Sequence, residues 1–327
     1  MSDWQAMNPE QAVQPKFSIR SAAAGLAMLA AIALFDRWLA SIPNRVELGW
    51  RSAQIDFRPV PFDARAIAPL RLVGAWRAAS SDPRFGGVSA LAIDRGRLLA
   101  LTDSGAVVRF SPPTRSAAPA RIGELPDGPG SGDFKRNRDS EALVRDPGGR
   151  GWWVAFENHH ELWLFDPAFT RALRRIELGG RGWRRNRGIE GAAAERGALL
   201  LVHEKGDHLL RVAGSRARSI AIDGARGRIS DSAALGDGRF IAIERRLSPL
   251  GLRNALVILE KAGSGYRFGR RVALPLGPFD NAEAIAVEQL PNGNRRLWLM
   301  TDDNFQRPMR TLLIALDMPA AGQPLSR

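Results

Sequence analysis

The sequence predicts an all-β protein, a β-propeller preceded by an N-terminal signal or anchor helix. Three observations carry this. A short pattern recurs five times, its copies lie about 40 to 50 residues apart, and each copy holds short β-rich runs broken by Gly, Asn and Asp turns. That period belongs to propellers and solenoids, and those runs are strand signals. Each copy opens on a small or acidic residue, passes through apolar residues and a turn, and enters an apolar strand. The strand ends at a carboxylate, and a second apolar strand follows. The lead positions are Ser89, Glu141, Glu190, Asp231 and Glu283; Asp103, Glu157, Glu204, Glu244 and Asp302 follow 13 to 19 residues later.

At the N-terminus, residues 21–35 carry no charge, with Lys16 and Arg20 before them and Asp36 and Arg37 after. A comfortable membrane span needs about 20 residues, so this run suits the apolar core of a signal peptide. No clean small-x-small cleavage site follows apart from Leu39-Ala40-Ser41, which leaves an uncleaved anchor as the alternative. The expectation is an exported protein, periplasmic or anchored to the inner membrane facing the periplasm, touching the membrane only through this segment. Residues 1–45 are then the signal or anchor and linker, and residues 46–327 the propeller domain. Residues 44–65 read as the lead-in, punctuated by Pro59 and Pro61.

The strand pairs follow in order. Residues 98–102 pair with 107–110 across Asp103-Ser104-Gly105, a tight-hairpin signal. The design repeats at 152–156 with 162–165, 199–203 with 209–212, 240–243 with 255–259, and 297–300 with 312–316. A sixth blade is expected from the two ends of the domain, residues 71–76 joining 272–276, because a blade shared in this way closes the ring and removes open sheet edges. The expected count is six, with five and seven as neighbouring solutions.

Composition narrows the chemistry. The absence of cysteine excludes disulfides, thiolate metal sites and a Cys nucleophile. All but four of the 47 basic residues are Arg, giving a formal charge of +13. Arg grips phosphate and carboxylate bidentately, yet a GC-rich coding bias toward Arg, Ala and Gly produces the same surplus. No basic run alternates with stacking aromatics, so nucleic acid is not expected as a partner. There is no G-x-S-x-G elbow, since Leu91 stands where Gly is required, and no H-E-x-x-H, phosphate-binding loop or twelve-residue calcium loop.

What remains is the recurring set of acids. Equivalent positions in successive blades surround one axis, so these acids should ring a central channel. Crowded carboxylates need protons or a cation, and hard cations such as calcium take oxygen ligands. Arg136-Asn137-Arg138 and Arg185-Asn186-Arg187 precede two of the lead acids, Arg245 and Arg246 follow Glu244, and Arg307 follows Asp303. One reading of these is Arg–carboxylate pairs tying blades together; the other is a mixed mouth that holds an anion beside a metal. His159, His160, His203 and His208 lie in or beside the same turns.

Several stretches resemble the phytase-like family, "esterase-like activity of phytase", of exported bacterial proteins. They are Gly87-Val88-Ser89-Ala90-Leu91-Ala92, Asp139-Ser140-Glu141-Ala142-Leu143, Asn186-Arg187-Gly188-Ile189-Glu190-Gly191, Asp280-Asn281-Ala282-Glu283-Ala284-Ile285 and Thr301-Asp302-Asp303-Asn304-Phe305, together with Asp231 through Glu244-Arg245-Arg246. The resemblance covers roughly residues 80–317. It implies a β-propeller and suggests hydrolysis of phosphate or carboxylic esters with a divalent cation, calcium being the candidate. On that footing Glu141, Glu190, Glu283, Asp302 and Asp303 are the expected metal ligands. Glu283, Glu190 and His203 are the expected catalytic groups, and Arg138, Arg187, Arg246 and Arg307 the expected holders of a small anionic ester. A monomer is expected. The alternatives are a non-catalytic periplasmic propeller that binds a ligand or partner, and a sugar-lactonase-like propeller enzyme.

Overall fold

The strands of this chain are apolar on both faces, and the fold uses both. A computed structural model describes residues 49–319, except 116–118, 180–181, 185–186 and 307. Three strands lead in: β1 (Arg51–Ala53), β2 (Ile55–Pro59) and β3 (Arg71–Ser80). The first blade follows as β4 (Val88–Asp94), β5 (Arg97–Thr102), β6 (Ala106–Phe110) and β7 (Ala120–Glu124). The second is β8 (Ser140–Arg145), β9 (Trp152–Phe156), β10 (Glu161–Phe165) and β11 (Ala172–Glu177). The third is β12 (Ile189–Glu195), β13 (Ala198–His203), β14 (His208–Ala213) and β15 (Arg216–Asp223). The fourth is β16 (Arg228–Ala234), β17 (Phe240–Ser248), β18 (Gly251–Ala262) and β19 (Gly265–Ala273), and β20 (Asn281–Gln289), β21 (Arg295–Asp302) and β22 (Leu312–Met318) complete the chain.

Each blade is an antiparallel sheet ordered from an inner strand outward, as the five expected strand pairs require. The inner strands β4, β8, β12, β16 and β20 neighbour one another in cyclic order, and β20 returns to β4. The architecture is therefore a β-propeller, with five blades among the described residues. Blades three and four share a short parallel seam at their outer edges, Ile222 with Tyr266 and Asp223 with Arg267.

Closure differs from the expected sixth blade. β3 does close the ring, but it pairs with β22, with Ala75 opposite Ile314, and β2 adds outside it. Val272 belongs to β19, opposite Leu256. The lead-in is likewise more than a linker: β1 pairs with β7 on blade one while β2 joins blade five, so one short segment fastens two adjacent blades. Among the described residues no helix is long and apolar enough to cross a membrane. The uncharged run at 21–35, expected to direct export, lies outside the described residues.

Five buried clusters fill the five interfaces between blades. Successive side chains of a strand point to opposite faces, so period-2 alternation deals them to different interfaces. In β5, Leu98 and Ala100 pack toward blade five, while Leu99 and Leu101 pack toward blade two. Inner strands crowd near the axis, which is why Ala recurs there: Ala90, Ala142, Ala192 and Ala284 are all buried.

Candidate active site at the channel mouth

The five inner strands share one irregularity. In each, the ladder slips by one residue, leaving Ser89, Glu141, Glu190, Ser230 and Glu283 as the bulged positions. A bulge leaves its residue unpaired and re-aims the side chain. Here Ser89, Glu141, Glu190 and Glu283 are aimed into a cavity of about 210 Å³ at the mouth of the channel. The residue before each bulge pairs with the end of the second strand, and the residue after that partner forms a second ring. It comprises Asp103, Glu157, Glu204, Arg245 and Asp302, and all five line the cavity.

Blade four breaks the pattern by one residue at both positions. Asp231 and Glu244 were expected in the rings; Ser230 and Arg245 occupy them. A one-residue slip of register moves a side chain to the other face. Asp231 instead turns into the blade interface, where it accepts hydrogen bonds from the Ser232 and Ile285 backbone amides at 2.6 and 2.8 Å. Glu244 accepts from the amides of Arg226 and Gly227 and from Arg271 Nε at 2.8 Å. Both acids are structural clasps.

Eight carboxylates line the cavity, adding Asp139 to the ring acids, against the guanidiniums of Arg228 and Arg245. Arg245 Nη1 makes a very short ion pair with Glu283 and donates to Asn281 Oδ1 at 2.6 Å. Arg228 Nη1 lies 3.2 Å from Glu204 Oε2. Lys135 Nζ lies 2.8 Å from Asp103 and 3.4 Å from Asp139. Burial opposes its charge, but these two carboxylates outweigh that and hold the ammonium protonated. Gly87, at φ +56°, lets the chain pass against Asp103 and Phe305; a Cβ there would meet both at under 3 Å.

The acids are pushed toward protonation. Burial raises Glu141 well above the usual carboxylate range, and Glu190 adds to the effect. Glu190 is raised by burial, then by Glu157 and Glu283. Asp302 is raised by burial and by Asp103. Burial with Asp139 and Glu204 pushes Glu157 up to about 8. The folded chain thus holds a proton on Glu157 that the unfolded chain releases near 4.5. By linkage, stability falls as pH rises through that window. Without divalent cation, the melting temperature is expected to drop between pH 5 and pH 8, and calcium is expected to raise it far more at pH 8 than at pH 5. Calorimetry at the two pH values checks this; a flat or rising profile refutes the electrostatic account.

Several expected site residues lie elsewhere. Arg138 is buried in its own loop and donates to the Pro129 and Asn137 carbonyls at 3.0 Å. Arg246 is exposed, one residue away from the side chain that enters the cavity. Asp303 accepts from the Gly87 and Phe305 amides at 3.0 and 3.1 Å and is a loop clasp. Arg187 is outside the lining, 3.5 Å from Glu204 Oε1. His203 is buried behind the ring and outside the cavity's lining, its imidazole lowered to about 4 by burial and then by His208. Arg307 lies outside the described residues. Of the expected metal ligands, Glu141, Glu190, Glu283 and Asp302 do line the cavity. Among the described residues, the carboxylate trio whose oxygens all lie within 4.8 Å of one another is Asp139, Glu141 and Glu157. Lys135 was not anticipated; its rarity in an Arg-dominated chain was the signal available.

A propeller with an acid-lined axial mouth defines the class of protein. The chain belongs to the phytase-like family: residues 83–305 match the family described as "Esterase-like activity of phytase". Similar solved structures include a Myxococcus xanthus glutaminyl cyclase, 16% identical over 76% of this chain and 96% of that one, with a TM-score of 0.49. Others are a nidogen/laminin complex (13%, 77% and 89%, TM-score 0.42) and the RRP9 WD40 repeats (11%, 82% and 87%, TM-score 0.40). At these identities they carry no assignment of chemistry. A comparison with curated proteins gave no match.

Proposed function

We propose that the axial cavity is a cation-dependent hydrolase site for small phosphate or carboxylic esters. One observation carries this reading: the excess of partly buried carboxylates over guanidiniums in the lining. Like charges packed so closely need protons or a cation, and an all-oxygen donor set suits a hard ion such as calcium. The residues fit one. Asp139, Glu141 and Glu157 converge, and Asp103 Oδ1 is buried with no hydrogen-bond partner among the described residues. When bound, such an ion supplies Lewis acidity and a positive charge beside the substrate.

The chain's own side chains would do the rest. Arg228 and Arg245 present guanidiniums where an anionic ester group can take them bidentately, in competition with Glu204 and Glu283. Glu283 is then the group that orients Arg245. Glu190 lines the cavity outside that converging trio; burial, then Glu157 and Glu283, raise it above the usual carboxylate range, which suits it to give a proton to a leaving oxygen.

The second reading is ligand binding without turnover. It is favoured by the pairing of Arg228 and Arg245 with carboxylates of the same cavity. Assaying the purified protein on aryl phosphate, aryl acetate and lactone substrates separates the two. Turnover with calcium that falls at least about tenfold on chelation is expected, ~1.4 kcal/mol of barrier. Chelator-insensitive turnover rejects the cation, turnover of lactones alone points to a lactonase, and binding without turnover points to the second reading.

A further inference from the structure

Behind the carboxylate ring lies a second cluster that the cavity does not use. The turn between β13 and β14 reads His203-Glu204-Lys205-Gly206-Asp207-His208. It closes with the Gly206 amide donating to the His203 carbonyl at 2.8 Å, Gly206 taking φ +66°. Glu204 turns into the axial cavity, whereas His203, Asp207 and His208 gather outside its lining. Each of the three offers a donor atom within 4.8 Å of the others. Asp207 Oδ1 lies 2.6 Å from His208 Nδ1 and 3.9 Å from His203 Nδ1. The two imidazoles stack at 4.7 Å with an interplanar angle of 21°, and the Trp183 ring covers them at 4.8 and 5.8 Å.

A second observation points to a ligand. His203 is 2% exposed, and its Nε2 is buried with no hydrogen-bond partner among the described residues. A buried ring nitrogen ordinarily has one. The other ring nitrogen, Nδ1, accepts from the Lys205 amide at 3.3 Å, so His203 reaches an ion either through the unpartnered Nε2 or by giving up that long bond.

We propose that His203, Asp207 and His208 form a site for a borderline divalent transition metal, with Zn²⁺ as its ion. Two imidazoles and one carboxylate make a donor set that zinc, nickel and copper accept and that calcium, which prefers oxygen, does not. The axial cavity and this turn therefore select cations of opposite character, although Glu204 and His203 are adjacent in sequence. Asp207 has 57% of its side chain exposed, so an ion enters from solvent and retains room for water. Binding replaces the His208–Asp207 hydrogen bond: where Nδ1 takes the ion, the ring's proton is exchanged through solvent to Nε2, so the imidazole stays neutral. The proposal stands whether or not the axial site hydrolyses esters.

The test is titration of the full-length protein with Zn²⁺ in excess Ca²⁺, following heat and tryptophan fluorescence. One saturable zinc event that calcium does not displace is expected, together with a change in emission that Trp183→Phe removes. His208→Ala and Asp207→Asn are each expected to weaken zinc at least about tenfold. Asp207 is exposed, so Asp207→Asn keeps the test valid should His208→Ala misfold. Zinc binding that survives both substitutions, or no binding at micromolar zinc, overturns the proposal.

Discussion

Replacing Glu141 by glutamine is expected to lower kcat/KM at least about tenfold, ~1.4 kcal/mol of transition-state stabilisation, while making the cation-free protein more stable. The two effects have one cause. Glu141 is pressed by burial, Glu190, Asp139 and Glu157, so its charge is a liability to the empty fold. It also offers one of the three converging oxygens that suit a hard ion. Glutamine keeps the size and removes the charge, which relieves the repulsion and weakens the ion together. Steady-state kinetics at several calcium concentrations, paired with thermal melts, reads both. A loss of activity accompanied by loss of stability would mean that Glu141 is merely structural. Unchanged activity would mean that the ion, if bound, sits elsewhere among the ring acids.

Trp298→Ala is expected to cost about 3–5 kcal/mol, the range for deleting a large aromatic from a core. At this size that corresponds to a melting-temperature drop on the order of 10 °C. Trp298 is fully buried in the cluster between blades five and one, the interface the ring closes last in sequence. Its Nε1 donates to Glu288 Oε2 at 2.9 Å. Alanine leaves a cavity and removes that donor from a buried carboxylate. Phenylalanine fills much of the space and loses only the donor, so Trp298→Phe should fall between parent and alanine. If the two variants melt together, the hydrogen bond dominates and the packing argument fails.

The five expected strand pairs are the β5–β6, β9–β10, β13–β14, β17–β18 and β21–β22 hairpins. They were legible because adjacent strands joined by short turns are local in sequence. The closing partner was not. β3 reads as an apolar strand, but nothing local distinguishes residues 272–276 from β22 as its neighbour, because that pairing spans nearly the whole domain. The short β1 and β2 were hidden by Pro59 and Pro61, which read as linker. Pro is tolerated at sheet edges, and both strands are edge additions.

The site divides in the same way. The repeat by itself determined that carboxylates recur once per blade at the ends of paired strands, and with it the all-β class and the acidic mouth. It located Glu141, Glu190 and Glu283 correctly on the inner strands. The tertiary structure decided register. Ile229-Ser230-Asp231-Ser232 offers adjacent polar residues, and only the bulge shows that Ser230 takes the ring position while Asp231 clasps the next blade. The same slip puts Arg245 rather than Glu244 or Arg246 at the mouth, which places a cation among the acids. A strand's side chains alternate between faces, so an error of one residue in alignment reverses what a residue touches, and composition is blind to it.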